Sequence, residues 1–185
     1  VTAGHNFTQA NFQSLGGFQY GDDMRDVYLN NSLVGKLFYQ RMNFTQDLAI
    51  VLITNTNNLM MGYKSFNSFY KVTQNDVKPY KNVTVQSRPN KNRGLPDIRD
   101  AYIIDCNINY PVKYNGINHD YKNVILLADT PEPSCKEVSV PGDSGGCVYL
   151  KDSNQLIGIL IGGNGKYSIA LPIAEILNIN NFKII

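Results

Sequence analysis

Near the far end of the chain, Val140 to Leu150 read VPGDSGGCVYL, a serine held among three glycines and beside an aspartate. A nucleophilic serine needs its hydroxyl presented from a tight turn, with amide N–H groups aimed at the place where an oxyanion would form. Gly142 and Gly145 suit such a turn because glycine tolerates positive φ. Taken alone, the same residues also describe an ordinary glycine turn between two strands. The choice rests on whether a general base and an orienting carboxylate exist elsewhere. There are only two histidines, His5 in VTAGH and His119 in NGINHD. An imidazole accepts a serine proton near neutral pH when a carboxylate fixes its tautomer. Asp47 opens the apolar run DLAIVLIT, where an unpaired charge would be costly. His119, in its polar setting, reads as a loop residue without a chemical role.

These groups must be carried by a scaffold, and the composition permits one. The chain has 185 residues, 43% of them apolar, which is enough for a real core. The net charge of +2 comes from scattered basic residues, with no stripe of the kind nucleic-acid binding requires. No apolar run reaches the roughly 18 residues of a membrane-spanning helix. Short apolar runs separated by Gly, Asn, Asp and Pro predict nine strands: DVYLN, LVGKLFYQ, DLAIVLIT, NVTVQS, AYIIDCNI, NVILLAD, GCVYL, LIGILIGG and YSIAL. The pattern is that of an all-β barrel or sandwich. One helix is expected, at IAEILNI after Pro172, a residue suited to a first helical turn. The polar, Pro- and Gly-containing stretch from Ser87 to Asp97 reads as a connection between two halves, which places a division near residue 90.

Three cysteines, Cys106, Cys135 and Cys147, permit one bridge and leave one thiol over. A Cys106–Cys135 pairing is expected, with Cys147 a buried thiol in an apolar strand. No Cys/His grouping suggests a metal. Asn-x-Ser/Thr sequons at Asn6, Asn30, Asn43 and Asn82 are candidate glycan sites on a secreted protein.

In order along the chain, TAGH, DLAIV and GDSGG resemble the base, acid and nucleophile motifs of the chymotrypsin-like serine peptidases. The order His, Asp, Ser is that of this family and not of the subtilisin-like or α/β-hydrolase arrangements. The TAGH form and the ending IGILIGGNGKYSIALPIAEIL look more like the streptogrisin and alpha-lytic branch and its fungal relatives.

The resemblance implies an all-β double barrel with a short C-terminal helix. Residues 1–90 would form a first barrel carrying His5 and Asp47, and residues 91–185 a second carrying Ser144. It implies a secreted, monomeric endopeptidase acting on polypeptides without a cofactor. In its catalytic triad, Ser144 attacks, His5 relays the proton and Asp47 holds the imidazole. Gly142 and Ser144 would supply the oxyanion donors. Ile161, Gly162 and Gly163 would pair with an extended substrate. Val138 would fall near the base of the specificity pocket and, being uncharged, favour an apolar or aromatic residue over Lys or Arg.

The chain departs from the family in four ways. Cys147 stands where a proline commonly follows GDSGG, and Ile161 where a serine usually supports the triad aspartate. Asn6 replaces a cysteine, and very little chain precedes His5. That shortness implies a fragment of a longer precursor, or a first barrel incomplete at its start, and leaves Asp143 without an identifiable ion-pair partner. Two other readings stay open: a catalytically impaired peptidase-like binding protein, and a viral polyprotein-processing peptidase of the same fold.

Overall fold

The computed structural model describes residues 26–29, 32–43, 46–54, 66, 68–87, 98–114 and 117–180. Each apolar run predicts a strand that is present. Strands β1 (Asp26–Leu29), β2 (Ser32–Asn43) and β3 (Gln46–Ile53) form an antiparallel sheet in chain order. The remaining six are β4 (Asn82–Gln86), β5 (Ile98–Tyr114), β6 (Ile117–Ala128), β7 (Cys147–Tyr149), β8 (Leu156–Gly163) and β9 (Ser168–Pro172). They close as a barrel in the order β4-β5-β6-β9-β8-β7. Closure comes from β4, which pairs with β5 along one edge and with β7 along the other, Val85 lying opposite both Arg99 and Val148. Where the strands pair all the way round, closure leaves no bare edge along which copies could stack.

Burial follows the two-residue period of a strand. Val83 and Val85, Ala101 and Ile103, Ile125 and Leu127, Val148, Ile157 and Ala170 fill one cluster. Leu156, Ile159 and Ile161, with Ile169 and Leu171, belong to a second, to which helix α1 (Ile173–Asn180) contributes Ile173 and Ile176. Strands buried on both faces read as continuous apolar runs, as LIGILIGG does. Residues 68–81 join the same body. Tyr70 N–H bonds to the Leu156 carbonyl at 2.8 Å, and buried Asp76 gathers the Tyr70 hydroxyl, the Thr73 N–H and the Lys81 ammonium.

Three expectations change. β4 and β5, which flank the stretch expected to link two halves, are neighbours in one barrel. The expected Cys106–Cys135 bridge is absent: neither Cys106 nor Cys135 is in a disulfide. Cys106 packs in the first cluster with Val83 and Ile103, whereas Cys135 packs in the second with Ile161 and Leu171. Cys147 is only half-buried rather than a core thiol. Asn82, the first residue of β4, is exposed.

Candidate active site

Ser144 follows a turn whose shape its sequence explains. In Val140-Pro141-Gly142-Asp143, the Asp143 N–H donates to the Val140 carbonyl at 3.0 Å and Gly142 has φ 100°. Proline in the second position and a positive-φ glycine in the third define a type II turn. The next amides are committed to the scaffold: Gly145 N–H to the Leu160 carbonyl at 2.8 Å, and Gly146 N–H to the Asp143 carbonyl at 2.9 Å. Among the described residues, the Gly142 N–H serves no such bond. The Ser144 Oγ lies 3.4 Å from the carbonyl of Ile161 on β8.

Asp143 has an ion-pair partner, contrary to the expectation of none. Arg99, on β5, places Nη1 2.7 Å from Asp143 Oδ2, with both side chains buried. The same carboxylate accepts the Ser87 hydroxyl and the Val140 N–H, each at 2.8 Å. Burial alone would raise the Asp143 pKa, but the hydrogen bonds from Arg99, Val140 and Ser87, with the Arg99 charge, outweigh it and hold the carboxyl below its ordinary value. Arg99 also donates to the Val138 carbonyl and to Ser87 Oγ, so one guanidinium ties β4, β5 and the nucleophile turn together. Sequence reasoning missed Arg99 because 44 residues separate it from Asp143. The one available signal was a basic residue next to the start of an apolar strand.

Beside Ser144 lies a pocket of about 280 Å³, with Ser139, Ile161, Gly162 and Gly163 among its lining residues. Val138, expected near its base, instead packs into the barrel core. Its neighbours Glu137 and Ser139 line the pocket in its place. The Ser168 hydroxyl accepts the N–H groups of Val138 and Ser139 at 2.9 and 2.8 Å and shares a 2.8 Å hydrogen bond with Ser139 Oγ, which fixes this wall. β8 pairs with β9 as far as Gly163, but beyond Leu160 no described strand pairs on its other side.

His5 lies outside the described residues. Asp47 is 1% exposed on β3, opposite Met42 of β2. His119, expected in a loop, is instead 2% exposed on β6, opposite Val112 of β5. Burial pushes its pKa below the usual imidazole value, opposed by the charges of Asp47 and Asp120. The second histidine therefore sits within electrostatic reach of the carboxylate that the motifs single out, across two sheets.

No family model and no curated protein matches the chain. Solved structures do. One is a glutamic acid specific serine protease described as using a histidine triad in substrate binding; it is similar over 100% of this chain and 84% of its own, at TM-score 0.58 and 18% identity. Another is the MamO protease domain from Magnetospirillum magneticum, over 85% of this chain and 74% of its own, at TM-score 0.50 and 14% identity. The chain thus has the all-β, double-barrel fold of the chymotrypsin-like serine proteases, with a short C-terminal helix.

Proposed function

We propose that the protein is a serine endopeptidase akin to the streptogrisin and alpha-lytic branch. The observation that carries this reading is the Ser144 turn: a hydroxyl following a type II turn pinned by a buried Arg99–Asp143 pair, with the Gly142 N–H uncommitted and a pocket alongside. A nucleophile held on so determined a backbone is pre-organised for acyl transfer. Ser144 Oγ attacks the peptide carbonyl carbon while His5 takes its proton and Asp47 stabilises the imidazolium. The N–H groups of Gly142 and Ser144 hold the oxyanion. Collapse expels the amine with the proton returned by His5, and water then hydrolyses the acyl-enzyme by the same steps. The main chain of Ile161 to Gly163 receives the substrate as an added strand.

The test is labelling by a fluorophosphonate. The wild-type chain reacts and Ser144→Ala does not; reaction of the variant, or none by the wild type, rejects the assignment. The same reading makes the protein extracellular, with a glycan on exposed Asn82, which mass spectrometry of the native protein checks.

A further inference from the structure

The pocket beside Ser144 carries charge that Val138 does not reveal. Glu137 and Lys113 both line it, on different walls. Lys113 is an exposed residue on β5, near the tip of the β5–β6 hairpin. Glu137 is half-buried and fixed: its Oε2 accepts the Gly165 N–H at 2.9 Å. A Cβ added at Gly163 would overlap the Glu137 carboxylate and come within 3.2 Å of Ser139 Oγ. The bare α-carbon of Gly163 therefore makes room for that carboxylate. The Ser139 hydroxyl lies 3.4 Å from the Gly162 carbonyl, so oxygen acceptors from Glu137, Ser139 and Gly162 gather on one wall, next to the substrate-pairing segment of β8. No ion pair engages Glu137 among the described residues. A carboxylate partly removed from water and bonded to one backbone amide is completed best by a cation with several N–H donors.

We infer that Glu137 is the specificity determinant of this pocket and that it selects a cationic side chain, Arg or Lys, in the residue preceding the cleaved bond. The inference rests on the peptidase reading for its substrate and on the pocket alone for its charge. It reverses the apolar preference expected from Val138, because the selecting charge sits one residue earlier and on the other face of the chain. Lys113, on the exposed wall, is the opposing charge and the residue that an acidic substrate would need.

The experiment separates binding from catalysis. In Ser144→Ala, p-aminobenzamidine is titrated by fluorescence, with neutral benzamide and benzoate as competitors. The amidine binds, benzamide and benzoate compete poorly, and Glu137→Gln weakens the amidine about tenfold to a hundredfold, as loss of a charge-assisted pair implies. Glu137→Asp keeps part of the affinity. With wild type, peptides with Arg or Lys before the cleaved bond give a higher kcat/KM than those with Phe or Glu, and Glu137→Gln removes that advantage. Equal binding of amidine and benzamide, indifference to Glu137→Gln, or a benzoate preference lost in Lys113→Gln would overturn the inference. Thermal unfolding of each variant confirms that it is folded. If the amidine is discriminated but Ser144 resists fluorophosphonate, the pocket assignment stands and the peptidase reading alone fails; labelling without discrimination has the opposite meaning.

Discussion

Removing one member of the Arg99–Asp143 pair strands the other in the protein interior. Arg99→Met leaves a buried carboxylate without its counter-charge and should cost about 3–5 kcal/mol, read as a lowered urea midpoint. The pair also dictates a response to acid. Asp143 has a folded pKa below its unfolded value, so its contribution is fully present above about pH 4 and is lost as pH falls through the folded pKa. Asp143→Asn should flatten the decline of stability below about pH 4. Gly142 is under a different constraint. Its φ of 100° lies where L side chains rarely go, and an added Cβ would meet no atom within 4 Å. Gly142→Ala should therefore act through backbone strain of about 1–3 kcal/mol. The turn relaxes that strain by rotating the 142 amide, so fluorophosphonate labelling should slow more than thermal stability falls.

Among the elements, β8 and β1 stand at opposite ends. β8 pairs with β7 and β9 and is buried from Leu156 to Ile161, so its amides are shielded by ladders on both sides and by side chains above and below. β1 has four residues, pairs only with β2 among the described residues and exposes Tyr28. Native-state hydrogen exchange should find the slowest amides in the Ile157–Leu160 stretch and fast ones in β1. Ile157→Ala, which empties a fully buried site, should destabilise by about 2–5 kcal/mol. The β5–β6 hairpin behaves differently from both. Its base belongs to the barrel, while farther along it Val112 packs against Gly162 and Lys113 reaches the pocket. One element thus supplies both core and pocket wall.

At the scale of the whole molecule, His119 of the barrel and Asp47 of the three-stranded sheet lie within electrostatic reach. The folded pKa of His119 is depressed, so the unfolded chain protonates first, near pH 6.5. Its stabilising effect is complete above that pH and disappears as pH falls through the folded value. Wild type should lose stability as pH falls below about 6.5, and His119→Gln should show a smaller drop there.

The strands were legible because apolar runs such as NVTVQS and LIGILIGG announce their buried faces. Hidden were features that rest on backbone pairing or distant partners. The polar residues of the β5–β6 hairpin beyond Cys106 look like loop, yet Tyr110 to Tyr114 pair with Ile117 to Tyr121. That pairing is what buries His119. The Pro- and Gly-containing stretch at 87–97 gives no sign of whether it links barrels or neighbouring strands. Ser144, Asp47 and the IGG segment stood out by type and order, whereas Arg99 and Glu137 matter only through partners that folding brings near.

Past Leu160, β8 keeps β9 on one side and has no partner strand on the other among the described residues. A polypeptide can register there only if it is straightened over several residues. On the peptidase reading, compact proteins should therefore resist until a slack loop is drawn out, and cuts in native targets should fall in hinges and tails even where many suitable side chains lie on the surface.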